Sequence, residues 1–556
     1  MPFTPVSLDE MYKEVLAWDV YAMVEGSPMY SLRTVPILFS SIDQYLDVFE
    51  PLLLEECRAQ IVRSIGELEA SPERLRLLSA EDAETFRVMG FEPPPLPKNS
   101  SASPAKPTFV ETDLVCVSYE PLRLTGGKAA KETEAEAETG QEFHALALVL
   151  NASTDKLNLK LYLPPERTTR LPQTQYKRLS MLRHVMVPSS GAWYVQKVGN
   201  MVTINREFQA LYSMRDLNLC DELLAPGNAH TLKPPASSLR PSAELIRAIE
   251  ERFDLSQLRA IRMSLTGRGI TLIQGPPGTG KTKTILGILS VLLTSQDGTT
   301  ARAPGPNTLP PPPPPLGDAR APTTAPLGGD GVAQLLASAA PWLRQPGTGI
   351  DGVLAAAGAP ASSAVYPRAT LTDRWLSLGR SEAETPPRHV MVCAPSNAAI
   401  DEIVTRILRR DSGGAGGMLD ASGAPWVPLV VRVGPNVKET LLDVSLDVLA
   451  KKKAADKAGL TYDAAKMEVL NEAHIVCTTL SCAGYAMFNS LKSGFDTVLV
   501  DEAAQAVEVS SLIPLKYACR RLILVGDPKQ LPATVFSDSA TSHNYEPVSY
   551  THLTLP

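Results

Sequence analysis

The residues best placed to do chemistry lie in three runs. Gly275-Pro276-Pro277-Gly278-Thr279-Gly280-Lys281-Thr282 has the spacing of a phosphate cradle. In such a loop, glycines let backbone N–H groups approach phosphate oxygens, the Lys reaches the β and γ oxygens, and the Thr hydroxyl ligates Mg²⁺. Asp501-Glu502-Ala503-Ala504-Gln505 follows an apolar run, Thr497–Val500, so two carboxylates emerge where a strand ends. Ligands of open α/β sheets bind at that edge. Asp501 then suits the metal, directly or through water, and Glu502 suits polarisation of a water aimed at the γ-phosphate. The third run, Gly526-Asp527-Pro528-Lys529-Gln530-Leu531-Pro532, follows another apolar run, Arg521–Val525.

Other residues admit two readings each. Gln257 stands three residues after Asp254, the spacing of a helix cap, yet an amide that donates and accepts also suits adenine. In Ala394-Pro395-Ser396-Asn397, Ser396 or Asn397 is a plain N-cap, or the turn with Pro395 offers N–H groups to a nucleic-acid phosphate. Thr478 and Thr479 end a strand run, and their hydroxyls serve either phosphate or the strand end. Lys451 to Lys453 read as a solvated helix face.

The elements that must position these residues are legible in the hydrophobic pattern. Ile270–Gln274, His389–Ala394, Leu429–Val433, His474–Thr478, Thr497–Val500 and Arg521–Val525 are Val/Ile/Leu-rich runs without polar alternation. Such strands suit a parallel sheet buried on both faces, a doubly wound α/β core spanning 240–295 and 389–540. Upstream, Ser7 with Glu10 and Ser41 with Gln44 have capping-box spacing and open helices to about Val24 and Leu68, giving an N-terminal helical segment over 1–108. Runs at Phe109–Ser118, His144–Leu150, Leu157–Leu163, Trp193–Val198 and Val202–Arg206 read as strands of a small β-barrel or sandwich over 109–215. The Lys128–Glu142 stretch between two of them reads as a solvated loop. Residues 296–388 are Ala/Gly/Pro-rich, include Pro310–Pro315, and read as a long disordered insertion.

Length and charge set outer bounds. With 556 residues, core burial is not limiting. A net charge of −7 argues against a uniformly basic coat but permits a local basic groove. The seven cysteines show neither C-x-x-C pairing nor zinc spacing, which fits a reduced intracellular protein without a metal module. No run is long and apolar enough for a membrane span, so no membrane partner is expected.

With these residues in place, the chain resembles superfamily-1B helicases of the Upf-like group, most closely the senataxin type. Gln257, GPPGTGKT at 275–282, APSNAAIDEI at 394–403, CTTL at 477–480, DEAAQ at 501–505 and GDPKQLPA at 526–533 carry the resemblance, with VFEPLLLEEC at 48–57 resembling the stalk. It implies ATP and Mg²⁺ as cofactors, 5′-to-3′ translocation on single-stranded RNA or DNA, RNA:DNA hybrid unwinding, transcription termination and a nuclear location. It further implies that Gln257 contacts adenine, that Gln530 senses the γ-phosphate, and that 411–472 includes a helical insertion. In that family a second RecA-like domain follows GDPKQLPA and supplies arginine fingers. Residues 541–556 depart from the pattern and read as a truncated or non-native tail. The alternative is therefore a nucleotide- and nucleic-acid-binding fragment without turnover. Residues 296–388 also exceed the family's usual link, as a flexible insertion or a retained intron.

Overall fold

The computed structural model describes residues 6–26, 29–67, 72–94, 108–122, 143–153, 155–165, 171–225, 239–265, 269–297, 389–408 and 417–546. The solvated loop expected at Lys128–Glu142, and all but the first two residues of the insertion expected at 296–388, lie outside them. No helix among the described residues is long and apolar enough to cross a membrane.

The N-terminal helix expected to run to Val24 is two helices, α1 (Asp9–Ala17) and α2 (Val20–Val24). Asp19 interrupts it by adopting an extended backbone and accepting the N–H groups of Tyr21 and Ala22. The stalk helix α3 (Ile42–Gly66) begins as expected, with Ser41 Oγ accepting Gln44 N at 3.1 Å. The reciprocal arm goes elsewhere, because Gln44 Oε1 accepts the backbone N–H of Ser40.

Six antiparallel strands then close a barrel: β1 (Glu73–Ala83), β2 (Phe86–Phe91), β3 (Asp113–Ser118), β4 (His144–Ala152), β5 (Leu157–Leu161) and β6 (Ala192–Asn200), in the order β1-β2-β5-β4-β3-β6. In β5, Leu157, Leu159 and Leu161 are buried while Asn158 and Lys160 are half-exposed, the period-2 pattern of a strand with one face in the core. Two expectations are corrected. The barrel begins at Glu73, inside the segment assigned to helices and stalk. Val202–Arg206 is not a strand but opens a helix, α5 (Val202–Tyr212), preceded in the barrel by α4 (Gln173–Val185). Helix wins at α5 because Ile204, Phe208 and Leu211 form one buried stripe against the stalk.

Helices α6 (Ala243–Arg252) and α7 (Leu255–Leu265) lead into the α/β unit. Its strands are β7 (Gly269–Gln274), β8 (Val390–Ala394), β9 (Val430–Val433), β10 (Ile475–Thr479), β11 (Thr497–Val500) and β12 (Arg521–Gly526). All pairs are parallel, in the order β9-β10-β8-β11-β12-β7. Helix α8 (Lys281–Thr294) leaves β7 and α9 (Asn397–Leu408) leaves β8, while α10 (Leu446–Asp456) and α11 (Tyr462–Glu472) form a hairpin before β10.

Alternation divides the sheet between two cores. Val390, Val392, Leu499, Ile523 and Val525 pack with α8 and α9, whereas Met391, Cys393, Val498, Val500, Leu522 and Leu524 join the core that continues through the stalk into the barrel. Sheet face, stalk and barrel therefore share one apolar interior. The chain after β12 belongs to it as well. Short helices α12 (Glu508–Leu512) and α13 (Asp538–Ser542) pack there, and Tyr545 is 1% exposed with its ring 6.4 Å from that of Phe49. Of the tail expected at 541–556, residues 541–546 are described, with Tyr545 buried and Ser542 and Asn544 exposed; 547–556 lie outside the described residues.

Candidate nucleotide and nucleic-acid site

The phosphate-cradle run sits between β7 and α8, as its spacing requires. Gly278 and Gly280 adopt φ of 78° and 81°, conformations that L side chains rarely adopt, and Gly280 caps α8. The first N–H groups of α8 and the Lys281 side chain therefore face one cleft, and a helix N-terminus there favours anions. Thr279 Oγ1 donates to Pro276 O at 2.8 Å, which closes the loop on itself.

Two other strand ends meet this loop. Gly275 N donates to Gly526 O at 3.1 Å, and a Cβ on Gly526 would stand 3.0 Å from Ala504 N. Glycine at 526 thus lets all three chemistry-bearing runs interlock. Glu502 follows β11 with φ 50° and ψ 38°, and its carboxylate lies 3.8 Å from Lys281 Nζ. Asp501 is 6% exposed and accepts Glu502 N at 3.0 Å. Burial, reinforced by the neighbouring Glu502 charge, pushes its carboxyl up to about 6. Thr282 lines the cleft beside Lys281, and Asp501 precedes Glu502 in the turn after β11, near enough to Lys281 to feel its charge; a hydroxyl and a carboxylate are oxygen donors of the kind a hard divalent cation takes. These donors fit Mg²⁺. Asp527, 3% exposed, accepts Lys529 N and Gln530 Nε2, holding the Gln530 side chain at the cleft.

Pro276, Pro277, Gly278, Gly280, Lys281, Thr282, Glu502 and Gln530 line a cleft of about 420 Å³. Lys283 and Arg406 line it too, and sequence reading had singled out neither. Arg406 sits on α9 with its Nε 2.7 Å from Glu402 Oε1. It reaches the cleft only because α9 packs beside α8, a relation no local pattern encodes.

Gln257 stands beside the cradle with both ends of its amide engaged. Its Oε1 accepts Asp254 N at 3.3 Å and its Nε2 donates to Thr279 O at 3.0 Å. The capping geometry is present, and the same side chain braces the phosphate loop.

The residues expected at nucleic acid separate into two groups. Pro395 is half-buried and Ser396 exposed at the C-terminal edge of β8, with Ser396 Oγ accepting Ala399 N at 3.2 Å as a cap. Asn397 Oδ1 accepts from Arg432 Nη2 at 2.8 Å. Arg432 is fully buried on β9 and also pairs with Asp401 at 2.8 Å, so the turn rests on an internal ion pair that the sequence did not reveal. Strand β10 runs to Thr479, so Thr478 lies inside it, on the face of Val476, with no exposed surface and its Oγ1 without a hydrogen-bond partner. Thr479, 8% exposed, accepts Cys482 N at 3.3 Å and shapes the following loop.

Comparison with known proteins agrees with this geometry. The family model described as "AAA domain" matches residues 252–315, 344–462 and 450–538. A Dictyostelium discoideum protein named a "Probable helicase" is 30% identical over 98% of this chain and 63% of its own length. The Arabidopsis thaliana "Probable helicase MAGATAMA 3" is 29% identical over 97% of this chain and 64% of its own length. The Homo sapiens "Probable helicase senataxin" is 28% identical over 30% of this chain and 9% of its own length. The chain thus spans just under two thirds of the first two relatives. Motif order, parallel sheet and likeness along nearly the whole sequence converge: the chain carries the matched AAA domain and is similar to superfamily-1 helicases of the senataxin and Upf type.

Proposed function

We propose that the protein is an ATP-driven motor on nucleic acid, translocating 5′ to 3′ on single-stranded RNA or DNA and opening RNA:DNA hybrids in nuclear transcription termination. The observation that carries the proposal is the convergence of Lys281, Glu502 and Gln530 on one cleft behind a glycine cradle.

In this reading the cradle amides and Lys281 hold the β and γ phosphates of ATP. Thr282 and Asp501 hold Mg²⁺, which when bound neutralises charge on the phosphate oxygens. Glu502, carried out of the strand by its left-handed backbone, orients a water and accepts its proton. Gln530, tethered to Asp527, senses the γ-phosphate. Nucleic-acid phosphates meet the exposed edge at Pro395, Ser396 and Asn397, with Thr479 shaping the loop alongside. Phosphate contacts of this kind position a strand without reading its sequence.

The test is phosphate release and strand displacement by a chain carrying this domain, on tailed RNA:DNA and DNA:DNA duplexes. ATP-dependent displacement from a 5′ tail, abolished by Lys281→Ala, is expected. Nucleotide and single-strand binding without turnover would overturn the motor and leave a binding module.

A further inference from the structure

The stalk touches the chain that leaves the Gln530 loop through a buried carboxylate. Glu56 on α3, 4% exposed, accepts Phe536 N at 2.9 Å and Ser537 N at 3.0 Å on one oxygen. Its other oxygen accepts Gln60 Nε2 at 2.9 Å and Phe536 N at 3.1 Å. Beside it, Glu55 accepts Ser537 Oγ at 3.3 Å and pairs with Arg58 at 2.6 Å, while the Arg63 guanidinium lies 4.4 Å over the Phe536 ring. A buried carboxylate needs a full set of hydrogen bonds to be tolerated, so it holds one geometry of the segment above others.

The place of that segment gives the contact its meaning. Phe536 follows Gln530 after five residues, of which Leu531 is exposed and Ala533 is anchored in the core, and β12 before it abuts Ala504 of the carboxylate run. At its far end α3 leads toward β1 of the barrel, and the chain returns through α5. There Glu207 accepts from Ser510 of α12, and Arg206 donates to Ser481 O at 2.9 Å in the loop after Thr479. The arm therefore grips the sheet behind both the nucleotide cleft and the nucleic-acid edge.

We propose that Glu56 is a positioning residue that ties the Gln530 loop to the stalk, so that nucleotide at the cleft and the placement of the barrel arm are read through one carboxylate. This rests on the nucleotide reading of the cleft. A shift of Gln530 toward a γ-phosphate draws on Phe536 and Ser537, whose N–H groups are held by Glu56. Strain passes into α3 rather than into solvent.

The experiment is hydrogen exchange on the full 556-residue chain with and without the non-hydrolysable analogue AMP-PNP and Mg²⁺. In the wild type, the analogue slows exchange at 526–537 and also within α3, by about fivefold, the change expected from one hydrogen bond's strengthening. In Glu56→Ala the response persists at 526–532 and disappears from α3. Glu56→Gln, which keeps an acceptor facing both amides, restores it. If Glu56→Ala does not fold, Glu56→Asp withdraws the carboxylate by one methylene while keeping the interface filled, and the same loss in α3 is expected. A merely structural brace would lower the melting temperature yet leave the nucleotide response of α3 intact, and that result overturns the proposal. So does a Glu56→Gln chain that behaves like Glu56→Ala. Failure of the wild type to bind AMP-PNP overturns the nucleotide reading itself, a distinguishable outcome.

Discussion

The Lys281 ammonium stands 3.8 Å from a carboxylate oxygen of Glu502, a cation on the first turn of α8 facing an anion that follows β11. The pair joins two motifs separated by more than two hundred residues. In the proposed reaction the two serve different steps, Lys281 holding phosphate and Glu502 activating water.

Their replacements should therefore diverge. Lys281→Ala removes charge-assisted hydrogen bonds to phosphate, each worth roughly 1.5–3 kcal/mol, so ATP binding should weaken about 10- to 100-fold by calorimetry. Glu502→Gln should leave binding within a small factor while turnover falls about 10²- to 10⁴-fold in any chain of this domain that hydrolyses ATP. Normal turnover by that variant would remove Glu502 as the base.

Gln257 offers a sharper contrast. Its amide is committed to Asp254 N and Thr279 O, so Gln257→Ala should loosen the phosphate loop and weaken ATP and GTP binding alike, by about fivefold for one lost hydrogen bond. A loss confined to ATP would show that the amide reads adenine instead. Gly280→Ala, at φ 81° with its new Cβ 2.6 Å from Gln257 Nε2, should weaken both nucleotides further.

The Asp401–Arg432 pair carries a stability prediction. Arg432 is fully buried, so Asp401→Ala leaves its charge without a carboxylate and should cost about 3–5 kcal/mol in urea unfolding. Arg432→Met in the Asp401→Ala background should recover most of that loss. Failure to recover would mean that the Asn397 contact, not charge compensation, dominates.

Glu207 should make stability depend on pH. Burial pushes its carboxyl up to about 7, with the Ser510 hydroxyl opposing and Glu56 adding to the shift. Because the folded value lies above the unfolded one, its stabilising contribution is full below about pH 4.5 and is lost as pH rises toward 7. Glu207→Gln has no such loss. Its stability relative to wild type should therefore increase between pH 5 and 8, by a shift on the order of 3 kcal/mol. Parallel curves in denaturant titrations would refute the assignment.

How far the site was legible depended on whether its signal was local. The glycine cradle and the strand-end carboxylates encode their geometry within a few residues, and the structure brings Lys281, Glu502 and Gln530 together. The burial of Thr478 was not legible, because it depends on what packs over that face of β10 rather than on where the strand ends. Arg406, Arg432 and Glu56 carry no local mark, since each acquires its role from a partner on another element.

The same division runs through the fold. By itself the sequence determined six strands with their motifs in order, five of them buried and β7 half-exposed at the sheet edge, because apolar runs and glycine turns are short-range consequences of burial and backbone sterics. Tertiary structure alone decided that Glu73–Ala83, charged and unpromising, is a strand, since it pairs with Trp193 and Tyr194 on β6 and with β2 to close the barrel. It alone turned the β-branched Val202–Arg206 into helix, because the stalk offered Ile204 and Phe208 a face to bury. Strand and helix propensities differ by less than the burial that a neighbouring element supplies, and that neighbour is visible only once the chain has folded.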